Sequence, residues 1–156
     1  MAKKTQPIDT GYLTEHHDLY DVPRFNENDR DYFFTLNENE LFELEQLRVS
    51  SNKAYFILLL GYFKAKPVTL TLTWGIVKND LAYIYRKYFP NSKVPRKNIH
   101  KDAKSDIYKK VFLLTGFRRF SDNDEKKLLE QASLAVFNRA DSKNVFDTCV
   151  NYLNQQ

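Results

Sequence analysis

Apolar positions recur at helical spacing along most of the chain, and only one short stretch alternates as a strand would. Asn26 is placed to cap a short helix over 27–34, with Tyr32 and Phe33 turned inward. Asn37, with Glu40 three residues on, forms a variant of the capping-box pattern and opens a helix carrying Leu41, Leu44 and Leu47. Ser50-Ser51-Asn52 offers the next cap, for a helix reaching about Lys66. Within it, 54–63 is wholly apolar apart from Gly61 and is bounded by Lys53 and Lys64. A membrane-spanning helix needs about 20 apolar residues, so this one is expected in the core, surrounded by other elements. Pro67 stops it.

Val68-Thr69-Leu70-Thr71-Leu72-Thr73 alternates, but it is short and has no partner strand, and reads as a loop of extended character. Trp74, Val77, Leu81, Ile84 and Tyr85 make one apolar stripe on a helix over 74–89. Pro90-Asn91-Ser92-Lys93-Val94-Pro95 then breaks the chain and marks the expected boundary between two subdomains. A helix over 100–115 follows, with Ala103, Ile107, Val111 and Leu114 on one side and Gly116 at a left-handed C-terminus. Ser121 caps a helix to about Arg139, its first turn holding Asp122, Asp124 and Glu125. Asp141-Ser142 caps the last, over 143–154, with Val145, Phe146, Cys149 and Leu153 as its apolar face. The expected fold is all-α: about six helices in two small helix-turn-helix-like subdomains, 25–90 and 96–156, after a flexible tail over 1–24. The second subdomain reads as incomplete at its C-terminal end.

Composition adds a few bounds. A chain of 156 residues, 42% hydrophobic with 12 Phe and 10 Tyr, can bury a core. Only 4 Gly disfavour a turn-rich β fold. The single cysteine, Cys149, allows no internal disulfide and fits a reducing, cytoplasmic compartment. No apolar run of a signal peptide follows Met1-Ala2-Lys3-Lys4.

Charge changes the picture more. The net value of +4 conceals an acidic first third and a basic stretch over 86–119. That stretch holds Arg86, Lys87, Lys93, Arg96, Lys97, Lys101, Lys104, Lys109, Lys110, Arg118 and Arg119 against only Asp102 and Asp106. Clustered cations beside helical pattern are the footprint of a chain that meets a polyanion. Tyr83, Tyr85, Tyr88, Phe89, Tyr108, Phe112, Phe117 and Phe120 interleave it. Most fall on apolar stripes and read as core; Tyr88 and Tyr108 are the ones expected at the surface, where bases of a single strand could stack.

Catalytic constellations are missing from the pattern. Four scattered glycines make neither a phosphate loop nor a dinucleotide fingerprint. His16-His17 have no cysteine partner and fall in the tail, so they read as exposed rather than metal-binding. Asp122, Asp124 and Glu125 read as helix-start carboxylates rather than as a nuclease Mg²⁺ site. The expectation is no catalytic residue, no metal and no cofactor.

Four motifs in order resemble the N-terminal region of replicative transposases of the Tn-three family. Asp29-Arg30-Asp31-Tyr32-Phe33-Phe34-Thr35-Leu36-Asn37 is similar to that family's Phe-Thr-Leu-Ser lead into its first long helix. Leu47-Arg48 and Asn52-Lys53-Ala54-Tyr55-Phe56 are similar to its Asn-Arg-Leu-Gly-Phe-Ala start, with Lys53 replacing Arg and Tyr55 replacing a small residue. Leu81-Ala82-Tyr83-Ile84 resembles the next helix, and 107–120, ending Thr115-Gly116-Phe117-Arg118-Arg119-Phe120, resembles its Arg-rich helix closed by Leu-Gly-Phe-Arg. The resemblance covers about 25–150. It implies binding to double-stranded DNA at transposon terminal inverted repeats, with the cutting and joining residues in a later domain and the rest of a transposase as partner.

Both lines lead to one expectation: sequence-specific duplex binding without catalysis, no membrane, and the helix over 100–115 entering the major groove. Arg96, Lys97, His100, Lys101 and Lys104 are the expected groove and backbone contacts. Arg48 and Lys53 are expected on phosphate from the first subdomain, and Arg118 and Arg119 on backbone near the turn. The alternative is a protein-interaction or self-assembly adaptor whose acidic half meets the basic half of a neighbour.

Overall fold

The computed structural model describes residues 21–138 and 141–155. Most of the expected tail, His16, His17 and the expected helix end at Arg139 lie outside the described residues. Among the described residues the protein is all-helical, with α1 (Glu27–Phe33), α2 (Glu38–Glu45), α3 (Ser50–Ala65), α4 (Trp74–Tyr88), α5 (Lys101–Thr115), α6 (Asp122–Phe137) and α7 (Ser142–Asn154). The stretch 68–73 pairs with no strand and is a loop that buries Leu70 and Leu72.

Local chemistry explains most boundaries. Asn26 and Asp29, Asn37 and Glu40, and Ser121 and Asp124 each form a reciprocal capping box. Asp141 caps α7 through the Asn144 amide. Gly116 ends α5 at φ 76°, a conformation that only glycine takes at little cost. The Ser50-Ser51-Asn52 cap is corrected: α3 begins at Ser50 with Val49 in the capping position, so no side chain caps it. α5 begins at Lys101, so Lys97 lies on the loop before it and not on the face of Lys101 and Lys104.

Packing forms two units, which change at Arg118 and Arg119. The first spans Leu19–Arg118, so the 90–95 break runs inside it. Its centre is α3, whose residues 54–63 are all buried because α1, α2, α4 and α5 each pack against it. Tyr32 is corrected: it is 77% exposed, and Phe34 takes the inward position with no exposure at all. The Phe34 ring lies over Gly61, where an added Cβ would come within 2.5 Å of it, so only a glycine lets the chain after α1 lie on α3. The aromatic rings of Phe25, Phe33, Phe34 and Tyr62 close this side, while Phe63, Phe112 and Phe117 close the α5 side. In the second unit α6 and α7 pack on each other without fully burying any apolar side chain among their described residues.

Asp80 and Tyr108 place polar groups inside this core. Asp80, 7% exposed, bonds Arg30 Nε at 2.7 Å and accepts the Tyr62 hydroxyl. Arg30 is held above its ordinary pKa chiefly by that hydrogen bond. Tyr108, expected at the surface, is 6% exposed, and its hydroxyl accepts the Leu70 amide at 2.9 Å.

Burial raises the pKa of Tyr55, Tyr62, Tyr85, Tyr88 and Tyr108, with the Asp80 carboxylate adding to it at Tyr62. A tyrosine in the unfolded chain loses its proton near pH 10. Above that pH the folded state therefore holds more protons than the unfolded one, and stability falls as pH rises. The urea midpoint is expected to show no contribution from these groups below about pH 9 and to drop steeply above about pH 10. Tyrosinate absorbance should show these five ionising together with unfolding; their ionisation with the fold intact would contradict the burial.

Candidate nucleic-acid interface

The basic residues divide according to what the acidic first third does with them. Lys87 bonds Asp31 at 2.8 Å, Lys110 bonds Glu43 at 2.5 Å and Arg86 lies 3.8 Å from Glu27. Lys64, from α3, bonds Glu40 at 2.7 Å. Lys109 pairs with Asp106 on its own helix. Carboxylates from α1 and α2 thus neutralise cations on α3, α4 and α5; the Lys87 ammonium in turn holds Asp31 below the usual carboxylate range.

Four of the cations left over are neighbours in sequence. Among the described residues no carboxylate lies within ion-pair distance of Lys93, Arg96, Lys97 or Lys101, and all four are exposed. Three sit on the loop between α4 and α5, and Lys101 opens α5. That loop is fastened to the helices behind it. Val94 and Ile99 pack against the core. The Tyr55 hydroxyl of α3 donates to the Lys97 carbonyl at 3.1 Å. Asn98 Oδ1 accepts the Trp74 amide at 2.7 Å, supplying from a distance the cap that Thr73 does not give α4. The loop therefore lies against side chains or ends of α3 and α4 just before α5 begins.

The other expected residues fall around this cluster or away from it. Arg48 is exposed just before the uncapped start of α3, and Lys53 is half-buried in its first turn. His100 is the α5 cap: its Nδ1 accepts the Asp102 amide at 3.4 Å, which leaves Nε2 as the nitrogen for a phosphate. Lys104 is half-buried with Nζ 5.9 Å from the Tyr108 ring centre, and desolvation lowers its pKa. Arg118 lies beyond the opposite end of α5, about 22 Å along the helix axis from Lys101, and is not brought to the cluster. Arg119 belongs to the second unit.

Of the aromatic residues interleaving the basic stretch, Phe117 and Phe120 are exposed rather than core, at 38% and 55%, whereas the two expected at the surface are not. Tyr85 and Tyr108 are buried, and Tyr88, with its hydroxyl donating to the Phe34 carbonyl at 2.7 Å, is half-buried rather than at the surface. Asp124 turns back to the Ser121 amide at 2.8 Å. Among the described residues no group of three His, Cys, Asp or Glu side chains is arranged to hold a metal ion, and no helix is long and apolar enough to cross a membrane.

Among the described residues the features are those of an all-helical fold with a basic loop before α5 whose cations meet no carboxylate. The chain matches the family described as Domain of unknown function (DUF4158) over residues 13–156, and it belongs to that family. No curated protein and no solved structure matches it.

Proposed function

We propose that this chain is a duplex-DNA-binding module, the part of a replicative transposase that grips terminal inverted repeats in the cytoplasm, and that it binds without performing chemistry. The observation that carries the reading is the division of cations: Arg86 and Lys87 on α4 and Lys110 on α5 are met by carboxylates of α1 and α2, whereas the consecutive run Lys93, Arg96, Lys97 and Lys101 faces solvent with no carboxylate at ion-pair distance among the described residues. Unpaired lysines and arginines release counterions from phosphate when they bind. The uncapped start of α3, flanked by Arg48 and Lys53, adds amide donors and a positive dipole end that favour a phosphate. The transposase resemblance supplies the inverted repeat as target. Of the acidic residues that a self-assembly adaptor would present to a neighbour, Glu27, Asp31, Glu40 and Glu43 are paired within their own unit.

Lys97→Glu with Lys101→Glu is expected to weaken duplex binding on the order of a hundredfold at moderate salt and to lower the slope of log affinity against log salt by about 2. Both side chains are exposed, so helicity should not change. Lys126→Glu with Lys127→Glu, the same charge change on α6, is the control. Equal losses in the two pairs, measured by fluorescence polarisation, would reduce the effect to net charge and sink the placement.

A further inference from the structure

The loop and α5 do not offer DNA the same surface. α5 carries exposed Asp102 and Asp106 beside Lys101, so its outer face in the first turns is of mixed sign. The loop over 93–99 carries Lys93, Arg96 and Lys97 and no acidic residue. Its dimensions differ as well. A helix with its side chains is about 10–12 Å across and fits only the major groove. A single strand of backbone projecting long side chains can address the minor groove, about 6 Å wide. The loop is non-helical throughout and bends at Lys97.

We propose that the loop over 93–99 addresses the minor groove of duplex DNA, with the Arg96 guanidinium inside the groove at an A·T-rich step and Lys97 on a bordering phosphate. This rests on the duplex-binding reading above. Four anchors hold the loop before DNA arrives: Val94 and Ile99 in the apolar cluster, the Lys97 carbonyl on Tyr55 and Asn98 on the Trp74 amide. Pro95 fixes one more torsion next to Arg96. The backbone of the loop therefore has little conformational entropy left to lose on binding. Arginine is the side chain suited to this place. Its guanidinium is more weakly hydrated than an ammonium, and narrow A·T minor grooves concentrate negative potential. G·C pairs place the guanine amino group on the groove floor, where it obstructs the same approach. Lys101, at the start of α5, is then left for phosphate.

The test uses the full chain and three labelled duplexes of equal length: an A-tract, a G·C sequence and an inosine·cytosine sequence. Inosine·cytosine presents the minor groove of A·T, lacking the guanine amino group, but the major-groove edge of G·C. The wild-type chain is expected to bind the A-tract and the inosine duplex about tenfold more tightly than the G·C duplex. Arg96→Lys, which keeps the charge, is expected to abolish that preference while the steep salt dependence remains. Inosine·cytosine behaving like G·C, or a preference that survives Arg96→Lys, overturns the minor-groove assignment and leaves duplex binding standing. Binding to none of the three overturns the proposed function and this inference together.

Discussion

Asp80→Ala is expected to destabilise the first unit by about 3–5 kcal/mol, seen as a fall in the urea midpoint. One carboxylate serves two groups: Arg30, whose side chain is 18% exposed, and Tyr62, which is 1% exposed. Its removal leaves a part-buried guanidinium with only Glu27, at 2.9 Å and mostly exposed, as a partner. It also leaves a buried hydroxyl with no acceptor. Asp80→Asn keeps an oxygen in place and should cost less. Tyr62→Phe added to Asp80→Ala should recover part of the loss, because the orphaned hydroxyl is gone. A loss below about 1 kcal/mol for Asp80→Ala would show that water replaces the carboxylate and that the pair does not tie α1 to α4.

Phe34→Ala should cost about 3–5 kcal/mol, since the ring is fully enclosed and its loss opens a cavity. Gly61→Ala is expected to destabilise by about 2 kcal/mol although alanine favours a helix by about 1 kcal/mol, because the new methyl would meet a ring that has nowhere to go. The two changes should not add. Once Phe34→Ala has removed the ring, a Cβ at position 61 has room, and the double variant should be less destabilised than the sum by about 1–2 kcal/mol. Chemical denaturation of the four proteins reads the coupling directly. Additive losses would mean that the backbone at Phe33, 3.0 Å from the same Cβ, sets the limit instead.

Elements defined by neighbours in sequence are legible before any coordinates. The Asn37–Glu40 box, the Ser121 cap, the apolar belt of α3 and the Gly116 terminus depend on residues within one turn of each other, and the structure has them as expected; the Asp124 side chain, expected as a helix-start carboxylate, instead turns back and is buried in a reciprocal box with Ser121. The start of α3 is not fixed in this way, because three consecutive cap-forming residues leave it open by a turn. Asp80 and Tyr108 are buried polar anchors outside the sequence expectation, although a signal for them exists. Asp80 falls three residues after Val77 and just before Leu81, and Tyr108 directly follows Ile107, so each lies on its helix's inward stripe. A carboxylate or hydroxyl on such a stripe must find a partner inside.

The candidate interface divides in the same way. Excess positive charge over 86–119 is plain in the sequence. Which of those charges survive folding is not, because Glu27, Asp31 and Glu43 come from at least 55 residues away in the chain for Arg86, Lys87 and Lys110. Distant pairing is invisible to local pattern, and it is what singles out the loop before α5. The Asn98 cap on α4, 24 residues distant, belongs with it.

The segment 68–73 has a liability that the finished fold conceals. It is uncharged, alternating, rich in β-branched residues and free of proline, the composition from which cross-β stacks are built. Lys66 and Pro67 guard one end only. In the native state Leu70 and Leu72 are buried, and the Leu70 amide is taken by Tyr108. The bond to the Leu70 amide comes from a helix made later in synthesis. Before α5 is made, the Leu70 amide lacks the Tyr108 hydroxyl that holds it in the finished fold, so α5 closes a strand-like segment that precedes it in the chain.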